Sequence, residues 1–119
     1  GGAGGIGAPT VIFGSAPQAP SYGAAGPNPG RYFSGGGGGS NTAGVPSAGG
    51  AGGSGGGGTG GNSTNSPAPA PAGGSGIVVL RVPTSGKPGS FAVAPGTNTT
   101  FTDGSCTVAV FTVTGTLTL

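Results

Sequence analysis

Gly1 to Gly7 reads G-G-A-G-G-I-G, and this three-residue beat returns from Ala48 to Gly56 as A-G-G-A-G-G-S-G-G. It slips at Gly57-Gly58 and resumes at Thr59-Gly60-Gly61-Asn62. Three residues per turn is the period of the polyproline II helix, which has no internal hydrogen bonds and leaves its backbone groups to neighbours. Where two of every three positions lack a Cβ, such helices approach closely and pair their backbones, supported by Cα–H···O contacts. Collagen is excluded, because strict Gly-X-Y with abundant proline is not kept. The bland alternative is a flexible Gly/Ser linker.

Ordering such a stretch is expensive. Each fixed backbone residue costs roughly 1–2 kcal/mol and glycine costs the most, so ordering the first seventy residues opposes folding by on the order of 100 kcal/mol. With 33 glycines and 12 prolines in 119 residues, the composition lies in the low-complexity range, and the length allows one domain at most. Few side chains before Ile77 can offset the cost, so ordering through self-association with copies of the chain is expected.

Charge removes several functions. Arg31, Arg81, Lys87 and Asp103 are the only charged side chains, for a net +2. Three scattered cations are too few for the multi-phosphate contacts that hold nucleic acid. One cysteine allows no intrachain disulfide, and without histidine or glutamate no common metal-ligand set exists, so no cofactor is expected. No run approaches the length of a membrane span, and no signal segment opens the chain. The missing initial Met is taken to indicate a fragment or processed product.

Between the glycine blocks, Ala8-Pro9-Thr10-Val11-Ile12-Phe13 leads through Pro17, Pro20, Pro27 and Pro29 to Arg31-Tyr32-Phe33. With Tyr22, Ile6 and Val45 these are the bulky groups before Ile77, and they are expected to plug a small satellite core. Tyr22, Arg31 and Tyr32 form the one candidate receptor patch, since aromatic rings and a guanidinium suit saccharide stacking; burial as anchors is the competing reading. Ser66-Pro67-Ala68-Pro69-Ala70-Pro71-Ala72 reads as a stiff spacer.

Composition changes class at Gly73-Gly74-Ser75-Gly76-Ile77-Val78-Val79-Leu80-Arg81-Val82. Ile77 to Val82 predicts a strand covered on both faces. Pro83 ends it, Ser85 to Gly89 is a turn, Phe91-Ala92-Val93 a short strand, and Pro95 to Asn98 another turn. In the final run Phe111, Val113, Leu117 and Leu119 share one phase, with Gly115 among them. Thr112, Thr114, Thr116 and Thr118 share the other. This predicts a half-buried strand with a threonine face, pairing with Ile77–Val82. Cys106, Val108 and Val110 sit out of phase with it, so a bulge or change of partner is expected near Val110-Phe111. Gly115 would let Phe91 or Phe101 approach the backbone. The expected fold is a mostly irregular, extended, polyglycine II-like region over 1–73 and a small antiparallel β unit over 74–119, with no α-helix. A lone unit of that size is short of core, and its open edges invite pairing.

Several motif matches carry little weight. Gly2 to Gly7 satisfies G-x-G-x-x-G, but no strand precedes it and no helix follows. Asn62-Ser63-Thr64 and Asn98-Thr99-Thr100 are formal glycosylation sequons. Cys106 lacks a histidine or nearby cation to activate it and reads as a small buried hydrophobe. Asp103 before Gly104 reads as a turn residue. Arg81 either snorkels or lands on a carbonyl or carboxylate, Asp103 among them.

The run from Gly73 to Arg81, following a long glycine-rich block, resembles the glycine-rich domain of bacteriophage tail fibre and related virion proteins. There a G-G-S-G-I-V-hydrophobic-hydrophobic-R segment closes the block. The stretch from Thr102 to Leu119, ending F-T-V-T-G-T-L-T-L, is similar to the natural C-terminus of many such proteins. It departs at Cys106 and Val82, where aromatics are more usual. The resemblance implies a virion structural or host-attachment role, without catalytic residues. It also implies a homo-oligomer, with a trimer favoured, other virion proteins as partners and a host glycan or receptor as target. Two rival readings stand beside it: an extracellular fibril or matrix protein, and an ice-binding polyglycine protein using the threonine row. An enzyme is the least favoured class.

Overall fold

The computed structural model describes residues 3–38 and 72–119. Its strands are β1 (Ala8–Thr10), β2 (Arg31–Phe33), β3 (Val78–Pro83), β4 (Ala92–Ala94), β5 (Thr99–Asp103), β6 (Cys106–Phe111) and β7 (Thr116–Thr118). Two single 3-10 turns, at Ala19–Ser21 and Thr84–Gly86, are the helical elements among the described residues, so no α-helix is present there. Val45, the glycine beat of 48–62, the sequon at Asn62 and the Pro/Ala run before Ala72 lie outside the described residues.

All pairing is antiparallel. β1 pairs β2, β6 lies between β3 and β5, and β4 pairs β7. The β5–β6 hairpin closes through Gly104-Ser105, and Gly104 has φ +57, the positive first residue that primed two-residue turns require. Pro83 ends β3, as expected from a residue without an N–H, and the Thr84 amide bonds the Ser105 carbonyl at 2.8 Å.

Register divides the central sheet into two faces. Val79, Val110 and Thr99 align, as do Arg81, Val108 and Phe101, then Pro83, Cys106 and Asp103. Leu80, Ala109 and Thr100 align on the other face, beside Val82, Thr107 and Thr102. Val108, Ala109 and Val110 are all at most 1% exposed, whereas Val78 of β3 is 58% exposed, which makes β6, not the Ile77–Val82 run, the strand buried on both faces.

The first face is covered by residues from the other end of the chain. Phe13, 1% exposed, joins Val108 and Val110 in one cluster, with Ile12, Tyr22, Phe33, Val79 and Phe101 packed around it. The Phe13 ring lies 5.1 Å from that of Tyr22, 5.9 Å from Phe33 and 6.5 Å from Phe101. Burying a phenylalanine is worth about 1.5–3 kcal/mol, and aromatic pairs add about 0.5–1.5 kcal/mol each. The satellite core expected before Ile77 is therefore not separate: the boundary at 73/74 divides the chain but not the core. Ile6 and Val11, expected among its plugs, are exposed. Burial for residues 3–38 comes from the same chain, which the backbone-entropy reasoning had left to neighbouring copies. Among the described residues, two glycine stretches meet where the Gly36 amide bonds the Gly5 carbonyl at 2.7 Å.

The terminal run also differs from expectation. β3 pairs with β6, whereas β7 pairs with β4 through Ala92↔Thr118, Val93↔Leu117 and Ala94↔Thr116. The change of partner falls between Phe111 and Thr116, because Asn98 seizes the backbone there. Its side-chain oxygen accepts from the Thr112 and Val113 amides at 3.0 and 3.2 Å, and its Nδ2 donates to the Ala94 carbonyl. Val113 and Leu119 consequently face outward rather than inward. Gly115 sits against Asn98, the Ala94 carbonyl and Phe111, not against Phe91 or Phe101.

Candidate functional site

The three residues of the sequence-derived patch come together, and each makes polar contacts within the chain. Arg31 donates from Nε to the Tyr22 carbonyl at 2.7 Å and from Nη2 to the carbonyls of Gly23 and Pro20 at 2.9 and 3.2 Å. Tyr32 is buried, and its hydroxyl accepts from the Asn28 amide at 3.1 Å. Tyr22, half-buried, stacks on Phe13, and its hydroxyl lies 3.0 Å from Thr99 Oγ1. The guanidinium thus caps turn carbonyls, the Tyr22 ring fastens the turn-rich passage to the β unit, and the Tyr32 ring packs within that passage beside Gly26.

A second cluster is electrostatic. Arg81 Nη2 and Asp103 Oδ2 are 2.7 Å apart across the central sheet, with side chains 28% and 9% exposed. Arg81 Nη1 also donates to the Ile12 carbonyl at 3.2 Å, so it meets both a carboxylate and a carbonyl. Asp103 Oδ1 accepts from the amide and hydroxyl of Ser15, each at 3.2 Å. Gly14 has φ +57, and a Cβ there would strike the Asp103 carboxylate. The ion pair with Arg81 holds the Asp103 carboxyl below its ordinary value, and the Ser15 bonds push the same way. Its Asp103 partner in turn raises Arg81. Asp103 is more than a turn residue: it clamps the first segment onto the sheet.

Cys106 is free and half-buried. It stands opposite Asp103, on the sheet face that carries Arg81. With no histidine in the chain, no base is available to pair with the thiol. Asn98 is 3% exposed and occupied by its three backbone contacts, so the sequon at Asn98-Thr99-Thr100 is closed in the folded chain. Among the described residues no group of three or more His, Cys, Asp or Glu side chains could hold a metal, and no helix is long and apolar enough to cross a membrane.

An open groove of about 680 Å³ lies between β3 and the β6–β7 connection. Ile77, Val78, Leu80, Phe111, Val113 and Leu117 line it, together with glycines and threonines, and no ionisable side chain does. Val78 is 58% and Val113 47% exposed at its rim. It can bury an apolar group but offers no acid or base. Sequence reasoning missed this surface because it placed Val78 in a strand covered on both faces and Val113 pointing inward. Comparisons of the chain with family models, curated proteins and solved structures found no match.

Proposed function

We propose that the chain is a structural module of a phage tail fibre or similar virion appendage, which packs against copies of itself and contributes to host attachment. The observation that carries this reading is the uncharged apolar groove beside β3, an edge strand unpaired on one side among the described residues, with Val78 and Val113 exposed at its rim. Contiguous exposed apolar surface marks a place where another molecule sits, and an unpaired strand edge invites a further strand. The resemblance of Gly73–Arg81 and of the F-T-V-T-G-T-L-T-L ending to glycine-rich virion proteins supports the same class. In this reading the partners are copies of the chain, a trimer being the arrangement the resemblance favours, and other virion proteins. The location is the virion. Host contact through Tyr22, Arg31 and Tyr32 belongs to the same proposal, with Tyr22 and Arg31 retaining some exposed surface. No enzymatic role is proposed.

The test is location. Peptides of the chain in purified tail-bearing particles, with immunogold label on the appendage, are the expected result. Recovery solely from a self-polymerised extracellular fraction would overturn the reading in favour of a matrix fibril. The threonine row, one candidate row for the ice-binding alternative, is divided: Thr116 and Thr118 lie in β7, whereas Thr112 and Thr114 precede it.

A further inference from the structure

We propose that the first face of the central sheet is a docking site for the arm, residues 3–38, of a second copy of the chain, exchanged for its own. The inference rests on the self-association proposed above and specifies its contacts. Besides Phe13, the arm's buried side chains are Ala16 and Tyr32. Its sheet is two strands of three residues, below what stands alone in water, and its most buried side chain, Phe13, finds Val108, Val110 and Phe101 across the sheet face.

That face is a built receptor. It presents an apolar floor at Val79, Val108 and Val110, and polar partners at its margin. Asp103 takes the Ser15 amide and hydroxyl, Arg81 takes the Ile12 carbonyl, and Thr99 meets the Tyr22 hydroxyl. An occupant must supply an aromatic ring, a free carbonyl, an N–H and two hydroxyls in fixed order, and every copy of this chain carries such a segment. A groove of about 390 Å³ already opens along the seam between arm and sheet, bordered by Ile12, Phe33, Ile77 and Val79. The shared core between arm and sheet is therefore flanked by a seam that is not filled throughout.

Sequence length permits the exchange. Residues 39–71, thirty-three in number, can reach at most on the order of 110 Å when fully extended. An intramolecular arm competes at an effective concentration on the order of millimolar. Its own arm wins in dilute solution, and a neighbour's arm competes once copies are held side by side, as in an appendage.

The experiment uses the full chain. Isotope-labelled and unlabelled copies are mixed in equal amounts, unfolded together, refolded at high concentration and fractionated by size. Isotope-filtered NOE spectra of the oligomer should show contacts from the Phe13 ring of one copy to the Val108 and Val110 methyls of the other. In an exchanged dimer about half of all such contacts should join a labelled to an unlabelled copy. An oligomer in which these contacts are solely intramolecular overturns the exchange and leaves self-association intact. A chain that stays monomeric at every concentration overturns both.

Discussion

Asp103 is the only acidic side chain in the protein, and its carboxylate joins β3, β5 and the arm. Arg81 lowers its pKa in the folded state, so the stabilisation it gives is complete above the unfolded aspartate value of about 3.9 and is lost as pH falls through the lower folded value. Thermal melts should therefore show a Tm that is steady from about pH 5 upward and falls on the acid side. Asp103→Asn should lower the Tm at neutral pH and remove most of that acid dependence. A wild-type Tm indifferent to strong acid would refute the clamp. Asn98 is the other residue on which several contacts converge. Asn98→Ala leaves the Thr112 and Val113 amides without their acceptor and should cost about 1–3 kcal/mol in denaturant titrations. Sequence reading could include Asp103 among the partners of Arg81, because the choice of charges was so small. It could not see Asn98 as more than a turn residue, since the amides it serves are fourteen and fifteen positions away.

Among elements, β6, between β3 and β5, is the central strand, whereas the sequence reading places the strand covered on both faces at Ile77–Val82. The alternation from Phe111 to Leu119 is real in the sequence, but a period-two pattern identifies a strand and not its partner or length. Once Asn98 captures Thr112 and Val113, the run divides, and only Thr116–Thr118 continues as strand on β4. The apolar run of β3, the small antiparallel β unit and, among the described residues, the absence of α-helix were legible, because β-branched density and Pro/Gly punctuation act locally. The burial of β6 was not legible, because Cys106 to Val110 look unremarkable until Phe13 is placed over them. Aspartate substitution separates the two accounts. Val110→Asp buries an unpaired carboxylate and should abolish the fold, whereas Val113→Asp should leave circular dichroism and melting close to wild type. Equal damage at both positions would restore the inward terminal strand.

At the scale of the molecule, the central fact is a core assembled from the two ends of the described chain. Backbone entropy argued for outside help in ordering the arm, but composition cannot show that one phenylalanine is matched by a face some ninety-five residues further on. Phe13 is enclosed by Val108 and Val110, with Tyr22 and Phe101 stacked around it, so arm and β unit should unfold together. Phe13→Ala should cost about 3–5 kcal/mol. That loss should register equally in Tyr22 fluorescence, which reports the arm, and in amide exchange of β6, which reports the sheet. Coincident transitions by both probes, shifted together by the substitution, are the expected result. If the β6 amides kept their protection while the Tyr22 signal was lost, the β unit would be an independent body. The arm would then be an appended segment, and the shared core would not be what holds the two parts together.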